Sequence, residues 1–106
     1  MFKVEGLIGL AYRAGMVVIS GDNVLEFIDK GKIHLILIAK DLESNLVKKV
    51  TKKAESHNIK CIFSLTEDEI SASLGNKNIK IIGITDLGFS KSIIAKVEEA
   101  YGKERI

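Results

Sequence analysis

The sequence predicts an α/β fold, a three-layer α/β/α sandwich with a central four-stranded mixed sheet. Apolar residues alternate along the chain between helical spacing and short continuous runs, the pattern of a sheet covered by helices. Glycines and short polar residues mark nearly every change of period. The 106 residues are 46% hydrophobic, which is enough to fill one core and predicts a single domain over 1–106.

The elements follow in order. Val4, Leu7, Ile8, Ala11 and Ala14 share one helical stripe, and Gly15 stops it. Met16 to Ile19 reads as a short strand. Ser20, Gly21 and Asp22 offer a turn and cap before a helix carrying Val24, Leu25, Phe27 and Ile28, which Gly31 ends. Leu35 to Ala39 is continuously apolar, as expected of a strand buried on both faces. Asp41 and Ser44 signal the next helix, spaced by Leu46, Val47, Val50 and Ala54 and stopping near Asn58. Ile59 to Ser64 is a strand containing the single cysteine, Cys61. Thr66 and Glu69 have capping-box spacing ahead of Ile70 and Leu74, with Gly75 just beyond. Ile79 to Ile84 is a fourth strand, and Thr85 or Asp86 caps a last helix through Phe89, Ile93, Val97 and Tyr101.

Several functions are disfavoured at once. No apolar run approaches the roughly 18 residues of a membrane span. The first residues carry no basic-then-apolar leader with a cleavage site, so a cytoplasmic protein is expected. One cysteine cannot build an internal disulfide framework or a thiolate cage. His34 and His57 share no metal-ligand spacing with Cys61, and Cys61 lies in an apolar strand with no adjacent base to activate it. Glu67, Asp68 and Glu69 fill a first helical turn, where the macrodipole favours carboxylates in any case. Gly6 to Gly9 sits within a helical stripe rather than after a strand, so it is no phosphate loop. No catalytic residue, metal or cofactor is expected.

Charge points elsewhere. The net charge is only +2, but residues 40–60 hold six lysines against Asp41, Glu43 and Glu55. The segment Ser20-Gly21-Asp22-Asn23 should join a strand to a helix. A helix N-terminus offers unpaired N–H groups and a partial positive charge to phosphates, and short polar side chains there can reach base edges. The same residues also make an ordinary turn and N-cap.

Four stretches carry a resemblance in one register: Leu7-Ile8-Gly9-Leu10-Ala11-Tyr12-Arg13-Ala14-Gly15, Ser20-Gly21-Asp22-Asn23 on to Gly31, Leu35-Ile36-Leu37-Ile38-Ala39-Lys40-Asp41 with Ser44-Asn45, and Ile82-Gly83-Ile84-Thr85-Asp86-Leu87-Gly88-Phe89-Ser90. The chain resembles the kink-turn-binding ribosomal protein family, in its bacterial YlxQ-like branch. The resemblance implies the same α/β/α sandwich and RNA binding without catalysis, in association with the ribosome or translation. It places the RNA-contacting turn on Ser20 and Gly21, polar readers of sheared G·A pairs on Asp22, Asn23 and Glu26, and a basic backbone contact on Lys30. A second contact loop falls on Gly75, Asn76 and Lys77, continuing to Asn78. Lys32, Lys40 and Lys77 are expected to meet phosphates alongside Lys30. The implied partners are a structured RNA, a kink-turn or a relative of it such as ribosomal RNA, and a ribosomal or translation-factor protein.

Three positions depart from the family pattern. Asp22 and Asn23 stand where asparagine and glutamate are usual, Glu26 stands on the lysine, and Met16 replaces a basic residue of the branch. A lysine can donate to guanine O6 and N7, whereas a glutamate can only accept. Glu26 is the reason to weigh an interaction module that keeps the fold without kink-turn reading.

Overall fold

The computed structural model describes residues 3–102, and its elements run in the expected order. They are α1 (Val4–Arg13), β1 (Val17–Ile19), α2 (Gly21–Asp29), β2 (Leu35–Ile38), α3 (Asn45–Ser56), β3 (Lys60–Ile62), α4 (Glu67–Leu74), β4 (Ile81–Ile84) and α5 (Leu87–Tyr101). The four strands form one mixed sheet in the order β1-β4-β2-β3. Strand β4 runs antiparallel to both neighbours, pairing Ile82 with Ile19 on one side and with Leu37 on the other. Strand β3 lies parallel to β2, with Leu35 opposite Lys60.

Alternation along the strands sorts the core into two layers, because successive side chains point to opposite faces. Leu35, Leu37, Ile82 and Ile84 meet Val4 and Ile8 of α1, Ile70 and Leu74 of α4, and Ile93 and Val97 of α5. Ile36, Ile38 and Ile81 meet Val24 and Ile28 of α2 and Val50 and Ala54 of α3. Gly83 leaves a gap on this second face that Ile33 fills, its Cδ1 2.7 Å from where a Cβ would stand.

Side-chain caps set three of the helix starts. The Ser44 Oγ accepts the Val47 N–H at 3.2 Å, and the Asp86 carboxylate accepts the Phe89 N–H at 2.8 Å. Thr66 and Glu69 close the expected capping box, Oγ1 taking the Glu69 N–H at 3.1 Å and Oε1 the Thr66 N–H at 2.9 Å. Each such cap is worth about 1 kcal/mol. The strands are shorter than the sequence reading, β1 starting at Val17, β2 ending at Ile38 and β3 spanning only Lys60–Ile62, and two other boundaries differ for a visible reason. Asp41 starts no helix, because the Lys40 N–H is committed to Leu65 C=O and the Leu42 N–H closes a turn on Ala39. Strand β4 begins at Ile81 rather than Ile79, because the buried Ser71 hydroxyl accepts the Ile79 N–H at 2.9 Å and donates to its C=O at 3.2 Å. Among the described residues no helix is long and apolar enough to cross a membrane.

Candidate nucleic-acid interface

Strand direction gathers the site. Strands β1 and β2 end, and β4 begins, at one edge of the sheet. The start of α2, the loop from Ala39 to Ser44 and the loop before β4 therefore meet there. Backbone bonds tie them together: the Ser20 N–H donates to Ile81 C=O at 3.0 Å and the Ala39 N–H to Lys80 C=O at 2.8 Å. A cavity of about 380 Å³ opens among Ser20, Gly21, Leu42, Ser44, Leu46 and Asn78.

The turn into α2 has an unusual backbone. Ser20 sits at φ 82° and ψ 148°, close to a region that is essentially glycine's alone. It is held there from three sides. The Val24 N–H donates to Ser20 C=O at 2.9 Å, the Asn23 Nδ2–H to Ile19 C=O at 2.9 Å, and the Asn23 N–H to the Ser20 Oγ at 3.5 Å. Gly21 is buried, and a Cβ there would stand 2.7 Å from Leu46 Cδ2. The turn thus brings backbone close to the rim of the cavity, and the first N–H groups of α2 lack helical acceptors.

The side chains on this edge are short and polar. Asp22 and Asn23 are exposed, and Asn23 spends its amide N–H on Ile19, leaving its Oδ1 as an acceptor. One turn on, Glu26 is ion-paired with Lys30 at 3.0 Å, and the Lys30 Nζ lies 5.1 Å from the Phe27 ring centroid. Both partners are at least half exposed, so the pair contributes little to stability. Its effect is on local charge: Glu26 offsets the cation at Lys30.

Eight of the expected residues lie at this edge: Ser20, Gly21, Asp22, Asn23, Lys40, Gly75, Asn76 and Lys77. Gly75 ends α4 at φ 66°, and Gly75, Asn76, Lys77 and Asn78 are all exposed. Lys30 and Lys32 are not brought to it. From Asn23 to Lys30 the helix advances about 10 Å. Lys32 then lies beyond Gly31 at the opposite edge, where the His34 N–H reaches Ile84 C=O at 2.8 Å. Glu26 falls between the two groups.

The sequence profile of the ribosomal protein L7Ae/L30e/S12e/Gadd45 family matches residues 3–94. The chain belongs to that family. It is 33% identical over 96 residues to "RNA-binding protein YlxQ" of Enterococcus faecium, spanning 91% of this chain and 92% of that one. The protein of the same name from Bacillus subtilis (strain 168) is 30% identical over 92 residues, covering 87% of this chain and 92% of the other. Among solved structures, a protein of unknown function from Bacillus halodurans superposes with a TM-score of 0.86 at 25% identity, over 91% of this chain and 97% of that one. The Giardia lamblia 15.5kD RNA binding protein shares the fold, with a TM-score of 0.76 at 16% identity over 90% and 84% of the two chains.

In this L7Ae-family chain two contributors to the edge escaped the sequence reading. Ser71 bolts the base of the Gly75–Asn78 loop, and its only trace in the sequence is a hydroxyl between Ile70 and Ala72 on an apolar stripe. The positive φ at Ser20 is the other: local bonds to Val24 and Asn23 hold it, together with one bond to Ile81, and the residue type gives no sign of it. Burial pushes the Cys61 thiol up to about 11, so it stays protonated and poorly nucleophilic at neutral pH. The His57 Nδ1 lies 2.9 Å from Lys53 C=O at the end of α3. No three described His, Cys, Asp or Glu side chains cluster closely enough to hold a metal ion.

Proposed function

We propose that this chain is a non-catalytic RNA-binding protein, a single domain over 1–106, whose RNA is a kink-turn or a close structural relative such as a segment of ribosomal RNA. The observation that carries the reading is the tight turn at Ser20 and Gly21, which opens α2 at the same edge as the exposed Gly75–Asn78 loop. Two contact segments distant in sequence then face one ligand. The Asn23 and Asp22 side chains meet the bases, and the helix N–H groups with Lys40 and Lys77 meet phosphates around them. Relatives that carry an RNA-binding name, matched over 87–91% of the chain, support the same reading. A ribosomal or translation-factor protein would share the bound RNA, and a cytoplasmic location follows from that association.

A second reading has its own observation. The Glu26–Lys30 ion pair neutralises one of the cations expected at the RNA backbone, as an interaction module without kink-turn readout would do. Titration against a kink-turn RNA and a control lacking the sheared G·A pairs, at two salt concentrations, separates the two readings. Preference for the kink-turn is the expected result. Equal, salt-sensitive binding to both RNAs, or binding to neither, refutes the site at Ser20–Asn23 and leaves the interaction module.

A further inference from the structure

The lysines of α3 are not used by the site at the start of α2. Lys48, Lys49 and Lys52 are exposed and Lys53 is half-buried. Lys48 with Lys52, and Lys49 with Lys53, are like charges one helical turn apart, an arrangement that works against the helix carrying it. Among the described residues only Lys53 of the four has a carboxylate partner, its Nζ lying 2.7 and 2.9 Å from the two Asp29 oxygens. Between α2 and α3 runs a groove of about 440 Å³, lined by Leu25, Lys49, Lys52, Lys53, Ser56 and His57. Of the carboxylates nearby, Asp29 is taken by Lys53 and Glu26 by Lys30, Asp22 sits at the far start of α2, and Glu55 of α3 lines a different cavity. Lys49 and Lys52 are left to face an outside anion.

The groove is continuous with the candidate site. Strands β1 and β2 both run antiparallel to β4, so α2 and α3 leave the same sheet edge and return side by side over the same face. Ser44, the N-cap of α3, lines the cavity that Ser20 and Gly21 line. A polyanion seated at the turn would continue along α3. We propose that the α2/α3 groove is a second RNA contact, in which Lys49 and Lys52 take the phosphate backbone of the stem leaving the Ser20–Asn23 site. This rests on the RNA-binding reading above. It adds a sequence-independent contact to one that reads structure.

The test compares the wild-type chain with Lys49→Gln/Lys52→Gln on a kink-turn RNA carrying a long flanking stem and on the same RNA with that stem trimmed. Each phosphate neutralised contributes about 0.7–0.9 to the slope of log K against log salt. The double variant should lose about 1.5 of slope on the long-stem RNA and none on the trimmed one, while keeping its preference over the G·A-less control. An unchanged slope on the long-stem RNA overturns the proposal, as does an equal loss on both RNAs. Binding of a poly-glutamate peptide at Lys49 and Lys52 while RNA remains bound also overturns it, since the groove would then serve an acidic protein. The slope loss persisting on an RNA population bound without kink-turn preference would keep the groove contact and refute the site at Ser20. Absence of any RNA binding refutes both.

Discussion

Ser20→Gly should stabilise this protein, against the usual penalty for adding a glycine. Ser20 is at φ 82° and ψ 148°, and a side chain held close to that region costs about 1–3 kcal/mol. Relaxation is blocked because the Ser20 N–H is bound to Ile81, its C=O to the Val24 N–H, and Ile19 C=O to the Asn23 side chain. Against the relief stand two smaller losses. Glycine at an N-cap gives up only a few tenths of a kcal/mol, and here the Oγ bond is already long at 3.5 Å. The more flexible unfolded chain costs a further ~0.4–1 kcal/mol. The balance favours glycine by about 1 kcal/mol, which raises Tm by about 4–8 °C in a domain of this size. Ser20→Ala keeps the strain and loses the cap, so it should fall below wild type. Urea unfolding of the three proteins decides the matter. If glycine is no more stable than alanine at this position, the strained turn is wrong, and with it the argument that the chain approaches a ligand closely here.

Three other outcomes can be checked alongside. Ser71→Ala leaves the buried Ile79 N–H and C=O without their partner and should cost about 1–3 kcal/mol in urea unfolding; a loss under 0.5 kcal/mol would mean the loop is held some other way. Cys61 is held protonated in the fold up to pH about 11, whereas the unfolded thiol ionises near 9. The unfolded state therefore loses its proton first, so this contribution is intact below pH 9 and declines as pH rises toward 11, by no more than about 1.4 kcal/mol per unit. Cys61→Ala should be less stable at neutral pH and should lack that alkaline decline, so parallel stability–pH curves would contradict the buried thiol. Glu26→Lys breaks the pair with Lys30 and restores a donor to the α2 face, and should tighten binding to a kink-turn RNA over a plain duplex in direct titration. An equal gain on both RNAs would show added charge and no readout.

Much of this protein was legible in one dimension. Apolar spacing named nine elements in order, and Ser44, Thr66 with Glu69, and Asp86 marked helix starts, because caps and turns act over three or four residues. The continuous apolar run at Leu35–Ile38 marked a strand buried on both faces, and the structure divides it, Leu35 and Leu37 to one layer and Ile36 and Ile38 to the other. The turn at Ser20 and Gly21 could be placed from its residue types and from the resemblance that runs along the chain.

The tertiary structure alone decided how those parts meet. Period and propensity do not say which strand pairs with which, or in what direction. Only the order β1-β4-β2-β3, with β4 reversed, sets the loop at Gly75 beside the turn at Ser20, while Lys30 and Lys32 go to the far edge. Bonds between separate segments, Ser20 to Ile81, Ser71 to Ile79 and Asp29 to Lys53, tie the turn to β4, seat the loop and engage Asp29, leaving Lys49 and Lys52 without it. Each joins segments that meet only in the folded chain, so local sequence carries no record of them.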